Sequence, residues 1–361
     1  MKSVIVAFAK FLVPAVIIAV LLFRLDPDDW DNLRQRPVRV PVLTLAFGIA
    51  FLAIATSFVR WWLLVRCQGI RLSIIESFRL SSICFLLSFV SAGSVGGDLF
   101  KAVFLARRSP GKRIEAVASV IVDRGAGLYG LLLLVAGALI LRPGDGSIQF
   151  EGISIRQLQW LLSILVCFGT SVLLILVLGG NLIDSLIGRF AKLPIIGGLV
   201  SKIGPPLRAF HDYPIAFLIS LVMSVAVHAM LTISMFLIAA SLFDSIPTFA
   251  EHFVIVPLGM LASALPITPA GIGVLEATIG TLYEIVPASP TSASGVLVAL
   301  VFEMVKIGLA IIGTVFYWTA SSEETASLEQ VEVELASAEH ESASVDDNPS
   351  GVTSPSSPAH P

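Results

Sequence analysis

The sequence contains few charged residues, since Asp, Glu, Lys and Arg make up only 14% of its 361 residues. Hydrophobic residues make up 56%, and they stand in long uninterrupted blocks that give a mean hydropathy of +0.91. An average soluble domain carries about 25% charged residues, so this composition excludes an ordinary soluble domain. The sequence predicts an all-α polytopic membrane protein, because a helix satisfies its own backbone hydrogen bonds inside a bilayer.

Basic residues are absent from the last 41 residues of the chain. This segment holds nine acidic residues, which are Glu323, Glu324, Glu329, Glu332, Glu334, Glu339, Glu341, Asp346 and Asp347. Without it, 23 basic and 17 acidic residues remain, so the remainder carries +6 although the whole chain carries -3. Its richness in Ser, Ala, Glu and Pro is typical of disorder. We expect a transmembrane domain over residues 1–319 and a disordered acidic cytoplasmic tail over residues 320–361.

Signatures of several other function classes are also missing. The three cysteines are scattered without metal-ligand spacing, and no P-loop motif occurs, which argues against direct ATP drive. The loops at residues 24–39, 142–157 and 179–213 hold no dense cluster of acids and histidines, which argues against an enzyme. The sequence indicates no cofactor, no metal and no nucleic acid, and it leaves a homo-oligomer open.

Apolar blocks long enough to cross a bilayer occur six times. A transmembrane helix needs about 20 residues to cross about 30 Å of hydrocarbon. The blocks are residues 1–23, 40–65, 114–141, 158–178, 214–242 and 293–318. We interpret the first as a retained helix, because no small-residue cleavage site follows it. Basic residues concentrate in alternate loops, which predicts a multi-pass protein of the cytoplasmic membrane with both termini cytoplasmic.

Two further apolar runs are too short to cross. Residues 80–92 and 253–265 each have 13 residues, which is about 20 Å of helix. A glycine- or proline-rich break follows each run, and a second short arm comes next, at residues 98–106 and 271–286. The simplest interpretation is two re-entrant hairpins, one from each side of the membrane. The alternative is a pair of ordinary spans that are kinked at the breaks.

The order span, hairpin, span occurs twice, over residues 40–141 and 214–318, with opposite predicted orientation. Paired broken segments in two halves are typical of inverted-repeat transporters with a site near the membrane midplane. Non-helical backbone at membrane depth persists only where protein buries it or where it lines a wet cavity. The breaks are therefore the expected site. Their glycines and prolines are Gly93, Gly96, Gly97, Pro266, Pro269, Gly271 and Gly273.

Ionisable residues within the apolar segments are the candidate substrate-binding groups, because charge at membrane depth is costly and usually functional. They are Asp98, Lys101, Asp123, Arg124, Glu276, Glu303 and Lys306. Asp98 and Lys101 share a helix face and either bind a lipid headgroup or form a local ion pair. Asp123 and Arg124 lie about 100° apart on a helix, so we expect one of them to face the cavity. Arg124 is the favoured clamp, because a guanidinium matches phosphate geometry; structural pairing with Asp98 or Glu276 is the alternative.

The remaining ionisable candidates are Glu276, the pair Glu303 and Lys306, and His228. Glu276 follows the second break, where a helix N-terminus favours an anion; it holds a cationic headgroup, balances Arg124, or only caps the arm. Glu303 and Lys306, three residues apart in the last span, form a structural ion pair or take part in transport. His228 stands alone in an apolar span, and we interpret it as a core residue bonded to a neighbour.

Three stretches form a pattern that is shared with a known family. They are Gly96-Gly97-Asp98-Leu-Phe-Lys101, Ser119-Val-Ile-Val-Asp123-Arg124 and Pro269-Ala-Gly-Ile-Gly-Val-Leu-Glu276. Together they resemble the flippase-like transmembrane domain of lysylphosphatidylglycerol synthases, over most of residues 4–318. The resemblance implies lipid translocation, with a membrane phospholipid or lipid-linked molecule as the substrate. Two features depart from it: no aminoacyl-transferase domain follows, as in stand-alone homologues, and Lys101 stands where Arg is expected, which weakens bidentate phosphate binding there.

We therefore expect an integral membrane lipid translocase without a catalytic centre. In this hypothesis the two breaks form a polar groove near the midplane, where Asp98, Arg124 and Glu276 handle a charged headgroup while the acyl chains stay in lipid. Two alternatives stay open. One is a membrane-embedded transferase that acts on a lipid-linked substrate, and the other is a small-solute or ion carrier built on the same repeat.

Overall fold

The computed structural model describes most of the membrane domain. The described residues are 37–89, 96–141, 149–150, 153–178, 180, 185, 188–190, 204, 206, 208–265 and 271–318. The predicted first span, the predicted acidic tail and the break residues Gly93, Pro266 and Pro269 lie outside them. All elements given below belong to one compact unit of the chain, Met1–Trp318.

Apart from one very short hairpin, the described residues form helices and their connections. The helices are α1 (Val40–Cys67), α2 (Ile74–Ser88), α3 (Gly96–Arg108), α4 (Arg113–Leu141), α5 (Ile155–Leu178), α6 (Pro214–Leu242), α7 (Phe249–Ser263), α8 (Val274–Ile285) and α9 (Gly295–Trp318). Strands β1 (Gln149–Phe150) and β2 (Ile153–Ser154) pair antiparallel just before α5. The predicted all-α class is confirmed.

Among the described residues, five helices are long and apolar enough to cross a membrane. They are α1, α4, α5 over Gln159–Leu178, α6, and α9 over Gly295–Gly313. Each coincides with a predicted span, because a long apolar run is a local signal that needs no tertiary information. The chain is a multi-pass membrane protein.

The short helices α2 and α7 begin with the same arrangement. Ser73 Oγ accepts a hydrogen bond from Glu76 N at 3.2 Å, while the Glu76 carboxylate accepts one from Ser73 N at 2.8 Å. Thr248 and Glu251 repeat this capping box at the start of α7, at 3.3 and 2.6 Å. A capping box satisfies backbone groups that the first turn of a helix leaves unpaired.

These caps correct the expected bounds of the two short arms. Helix α2 begins at Ile74 rather than at residue 80, and α7 begins at Phe249 rather than at residue 253. Each has 15 residues instead of 13, about 22 Å of helix, which is still shorter than a hydrocarbon core. The predicted starts were wrong because the apolar runs exclude the polar capping residues where the helices begin.

The capping carboxylates also hold each short helix to the one that follows. Glu76 forms an ion pair with Arg108, the last residue of α3. Glu251 Oε1 accepts a hydrogen bond at 2.9 Å from Ala288 N, just after α8. Because the start of one helix meets the end of the next, α2 with α3 and α7 with α8 are antiparallel pairs. Partial burial opposes ionisation of Glu76, but hydrogen bonds from Ser73 and Arg108 outweigh it and lower the pKa of this carboxyl.

The long helices α1 and α6 pack antiparallel. At one end Arg39 N, just before α1, donates a hydrogen bond to Ser241 O at 3.0 Å. Further along, Ser234 Oγ donates to Ala46 O at 2.9 Å. At the other end, the last turns of α1 pack against the first turn of α6 in an apolar cluster. The two helices therefore run in opposite directions along their whole length.

The helix contacts repeat between the group α1 to α4 and the group α6 to α9. The two groups correspond when α1 is exchanged with α6, α2 with α7, α3 with α8 and α4 with α9. Each closely packed pair of helices within this set then corresponds to a pair that is also in contact. The contact of α2 with α9, for example, corresponds to that of α7 with α4. Among the described helices, α5 has no counterpart in this exchange, and it packs against α4. The main apolar core lies where the two groups of helices meet.

Candidate functional site

A cavity of about 370 Å³ lies between the two groups of helices. Its wall includes residues from α1 to α4 and from α6 to α9. His228 at the midpoint of α6 and Lys306 at the midpoint of α9 both line it, so the cavity lies at the middle of these membrane-spanning helices. The ionisable side chains in the wall include Arg60, Asp98, Lys101, Asp123, Arg124, His228 and Lys306.

Arg124 and Asp98 form an ion pair across the cavity wall. Arg124 Nη1 of α4 donates to Asp98 Oδ2 of α3 at 2.5 Å. Both side chains keep partial exposure, at 36% and 25%. Asp98 lies in the first turn of α3, where the helix dipole stabilises an anion. The pair is therefore open enough to exchange its internal partner for a ligand that enters the cavity.

Asp123 forms an ion pair with Arg60, which is not among the candidate residues predicted from the sequence. Arg60 Nε donates to Asp123 Oδ1 at 2.8 Å, and Arg60 Nη1 donates to Ser224 Oγ at 2.9 Å. These three residues are buried and connect α1, α4 and α6. Arg60 is an arginine within an otherwise apolar span, and that position alone marks it as a candidate. Both Asp123 and Arg124 line the cavity, and each has a different partner there, Arg60 for Asp123 and Asp98 for Arg124.

Lys101 is the cation in the wall with the least internal pairing. Its Nζ lies 4.8 Å from the centroid of the Trp61 ring, a contact that leaves ammonium donors available for an anion. Within the part of the chain that the structure describes, no carboxylate forms an ion pair with it. The sequence placed Lys101 on one face with Asp98, but Asp98 is paired with Arg124 instead.

A second charged group lies on the side of the cavity that α8 and α9 form. It consists of Glu276, Glu303 and Lys306. Lys306 Nζ lies 2.6 Å from Glu303 Oε1, one helical turn away on α9. Glu303 is fully buried, whereas Lys306 reaches the cavity. Glu276, in the first turn of α8, accepts a hydrogen bond from Gly273 N at 2.6 Å. Glu276 is buried and does not line the cavity, whereas its neighbour Leu275 does.

The described break glycines lie at the starts of the two short helices α3 and α8. Gly96 and Gly97 are the first two residues of α3, and Gly97 packs directly on the carbonyl oxygen of Cys84 in α2. Gly271 and Gly273 precede α8 with φ of +77° and +90°, backbone conformations that favour glycine. These glycines let the arms of each antiparallel pair approach closely beside the cavity.

His228 uses its ring nitrogen within its own helix. Its Nδ1 lies 2.8 Å from Ser224 O, one turn earlier, which agrees with the interpretation of a residue bonded to a neighbour. The ring also lines the cavity, so it contributes a polar edge there. Among the described residues, no group of His, Cys, Asp and Glu has the arrangement of a metal site.

The cavity wall therefore combines four cationic side chains with two carboxylates. Guanidinium and ammonium groups bind phosphate by charge-assisted hydrogen bonds, with Arg in a bidentate geometry and Lys as a point charge. Such a wall suits an anionic or zwitterionic group that carries a phosphate. A free volume of this size lies in the range of small-molecule pockets, about 300–1,000 Å³.

Comparison with known proteins identifies a match over most of the chain. Residues 4–313 match the family model described as the lysylphosphatidylglycerol synthase TM region. A comparison with curated proteins finds no match. The family match covers every helix described above except the end of α9.

Proposed function

Since the chain belongs to the lysylphosphatidylglycerol synthase transmembrane-region family, we propose that it is a lipid translocase of the cytoplasmic membrane. It moves a phospholipid or lipid-linked molecule between leaflets by passing the charged headgroup through the cavity. The acyl chains stay in the surrounding lipid. No catalytic centre is required, because translocation makes and breaks no covalent bond.

An inverted repeat with two re-entrant hairpins is part of this proposal. The reciprocal contacts of the two helix groups support a twofold relation between them. The antiparallel packing of α1 and α6 supports opposite orientation of the two halves. Helices α2 and α7 are too short to span alone, and each is tied to its returning partner by a capping carboxylate. In such a repeat the site lies between the halves.

The observation that carries the proposal is the charged cavity between the halves, at the level of the helix midpoints. A headgroup that crosses a bilayer unaided loses its hydration at this depth, which is what makes spontaneous exchange slow. Arg124 and Lys101 replace part of that hydration with donors for the phosphate. Asp98 keeps Arg124 in place while the cavity is empty. It then offers its carboxylate to a cationic part of the headgroup.

Replacing Arg124 by alanine is expected to lower lipid exchange by about tenfold or more, since a hydrogen bond to a charged group contributes about 1.5–3 kcal/mol. The purified chain is reconstituted into liposomes with fluorescent phospholipids that differ in headgroup charge, and dithionite quenching reports leaflet exchange. Arg156→Ala is the matched control, because Arg156 is exposed on α5, away from the cavity. Arg124→Lys retains the charge but loses the bidentate geometry, and we expect an intermediate rate.

The translocase proposal would be contradicted if liposomes with folded wild-type protein exchanged every lipid of the panel no faster than protein-free liposomes. Uptake of a water-soluble phosphate compound into the same vesicles would then favour the solute carrier. Product formation from a lipid-linked donor would favour the transferase. Exchange that is equal in the wild type and in Arg124→Ala would instead remove Arg124 from the site.

The two loops that connect each hairpin to the following span are expected to face opposite sides of the membrane. Ser109 follows α3, and Ser289 lies between α8 and α9. With the exposed native Cys167 changed to serine, we expect Ser109→Cys to react with an impermeant maleimide only from the cytoplasmic side. Ser289→Cys should react only from the other side. Labelling of both from the same side would contradict the inverted arrangement.

A further inference from the structure

The group formed by Glu276, Glu303 and Lys306 has an unbalanced charge. Glu276 and Glu303 are two carboxylates, and Lys306 is the ammonium that pairs with Glu303 at 2.6 Å. The two carboxylates act on each other as like charges. With both ionised, the group carries a net charge of about −1 inside the membrane domain, where an uncompensated charge is costly. The addition of one proton makes the group neutral.

Each carboxylate also has an oxygen without a hydrogen bond. Glu276 Oε1 and Glu303 Oε2 are buried and have no hydrogen-bond partner among the described residues. Glu303 is 0% exposed and Glu276 is 6% exposed. Buried polar atoms in proteins are nearly always paired, so these two oxygens indicate a ligand that binds here. The smallest ligand that fits is a proton.

We propose that Glu276 and Glu303 share one exchangeable proton, and that its uptake releases Lys306 into the cavity to bind an anionic headgroup. The proton comes from cavity water and binds the Glu303 carboxylate, which then no longer holds the ammonium of Lys306. Lys306 stays protonated throughout, so the charge of the group rises by one. This inference rests on the proposed function, and it makes translocation of an anionic lipid dependent on protons.

The path of the proton follows from the position of Lys306. Its side chain is 18% exposed and lines the cavity, while Glu303 lies one turn behind it with no exposed surface. A proton from the cavity water therefore reaches Glu303 past the Lys306 side chain. Binding is reciprocal: an anion bound to Lys306 weakens its pairing with Glu303, and the proton affinity of Glu303 then increases.

The surroundings favour a proton over a metal cation. An ammonium 2.6 Å from Glu303 repels a metal ion at the same oxygen. Hard cations take about six or more oxygen ligands, and no metal-type cluster occurs in the described part of the chain. Within that part, the charged groups that act on Glu303 are Lys306 and Glu276. The titratable groups that α1, α2 and α6 contribute to the cavity wall are Arg60, Cys84 and His228.

The proton itself is tested by infrared difference spectroscopy of the purified protein between alkaline and mildly acidic pH. We expect a band of a protonated carboxylic acid that is lost in Glu303→Gln and kept in Glu76→Gln, whose carboxylate lies at the start of α2. Glu276→Gln is the second variant, and it should shift or remove the same band. A spectrum without this band, or a band that persists in both Glu303→Gln and Glu276→Gln, overturns the inference whether or not the protein moves lipid.

The coupling is tested in liposomes that contain fluorescent phosphatidylglycerol, an anionic lipid, with phosphatidylcholine as the zwitterionic comparison. Lowering the pH should raise exchange of the anionic lipid at least about fivefold, the lower end of ordinary coupling between two sites. Glu303→Gln should exchange at a rate that does not change with pH. If the wild type exchanges lipid at a rate that, as in Glu303→Gln, does not change with pH, the coupling is overturned and the translocase proposal stands. A response to sodium at constant pH, without a response to protons, overturns it in favour of a metal cation.

Discussion

Replacing Arg60 by alanine is expected to destabilise the protein by about 3–5 kcal/mol, because it leaves the buried Asp123 without its counter-charge. The Arg60 guanidinium contacts the Asp123 carboxylate and the Ser224 hydroxyl at 2.8 and 2.9 Å. The two charged side chains are only 8% and 12% exposed. The Asp123 carboxylate would therefore keep little compensating solvation. The measurement is equilibrium unfolding in mixed micelles, with thermal unfolding as a second readout.

The expected loss comes from the unpaired charge and not from the attraction alone. A buried ion pair that is replaced by apolar residues of similar size is often neutral or stabilising. The double variant Arg60→Met with Asp123→Leu is therefore expected to regain most of the stability lost in Arg60→Ala. Arg39→Ala is the matched control, because Arg39 pairs with Asp244 where both side chains are more than half exposed, and exposed pairs contribute about 0–1 kcal/mol. A loss in Arg39→Ala equal to that in Arg60→Ala would contradict this account.

Arg60 also shows what the sequence could and could not predict. Its position in an apolar span is visible in the sequence, and a buried arginine needs a partner. The partner is 63 residues away in the chain, and no periodicity connects two such positions. The same holds for Asp98 and Arg124, whose pairing was one of two interpretations open from sequence. Which acid meets which base is decided by helix packing.

The spans and the starts of the short helices differ in the same respect. The described spans were predicted because each is a continuous apolar run, a property of local sequence. The starts of α2 and α7 were misplaced, although Ser73 with Glu76 and Thr248 with Glu251 are capping boxes that can be read directly. That error came from following hydropathy alone across a helix start that is polar. The family resemblance, by contrast, was confirmed over residues 4–313, because its motifs are compact stretches of sequence.

Replacing Gly97 by alanine is expected to separate α3 from α2 and to destabilise the protein by about 1–3 kcal/mol, toward the upper end. A Cβ at this position would lie 2.3 Å from the carbonyl oxygen of Cys84 and 3.3 Å from Ser88 Cβ. The first of these neighbours is backbone, which cannot rotate away, so the two helices must move apart. The higher helix propensity of alanine returns about 1 kcal/mol at most. Asp98 is the next residue, so the same movement disturbs its pairing with Arg124 and should also slow lipid exchange.

Cys84 provides a direct readout of this separation, because it is only 2% exposed and lies on the helix that Gly97 contacts. In a Cys167→Ser background, Cys84 should react with a maleimide faster in Gly97→Ala than in the wild type. Gly137→Ala in α4 is the matched control, since a Cβ there meets nothing within 4 Å and alanine is favoured in a helix.

Gly271→Ala tests the second hairpin, where φ is +77° and a Cβ would lie 2.7 Å from Ser263 O. If both hairpins line one cavity, Gly97→Ala and Gly271→Ala should each slow lipid exchange, while Gly137→Ala should not. An effect confined to one hairpin would show that the two halves contribute unequally to the path of the lipid headgroup.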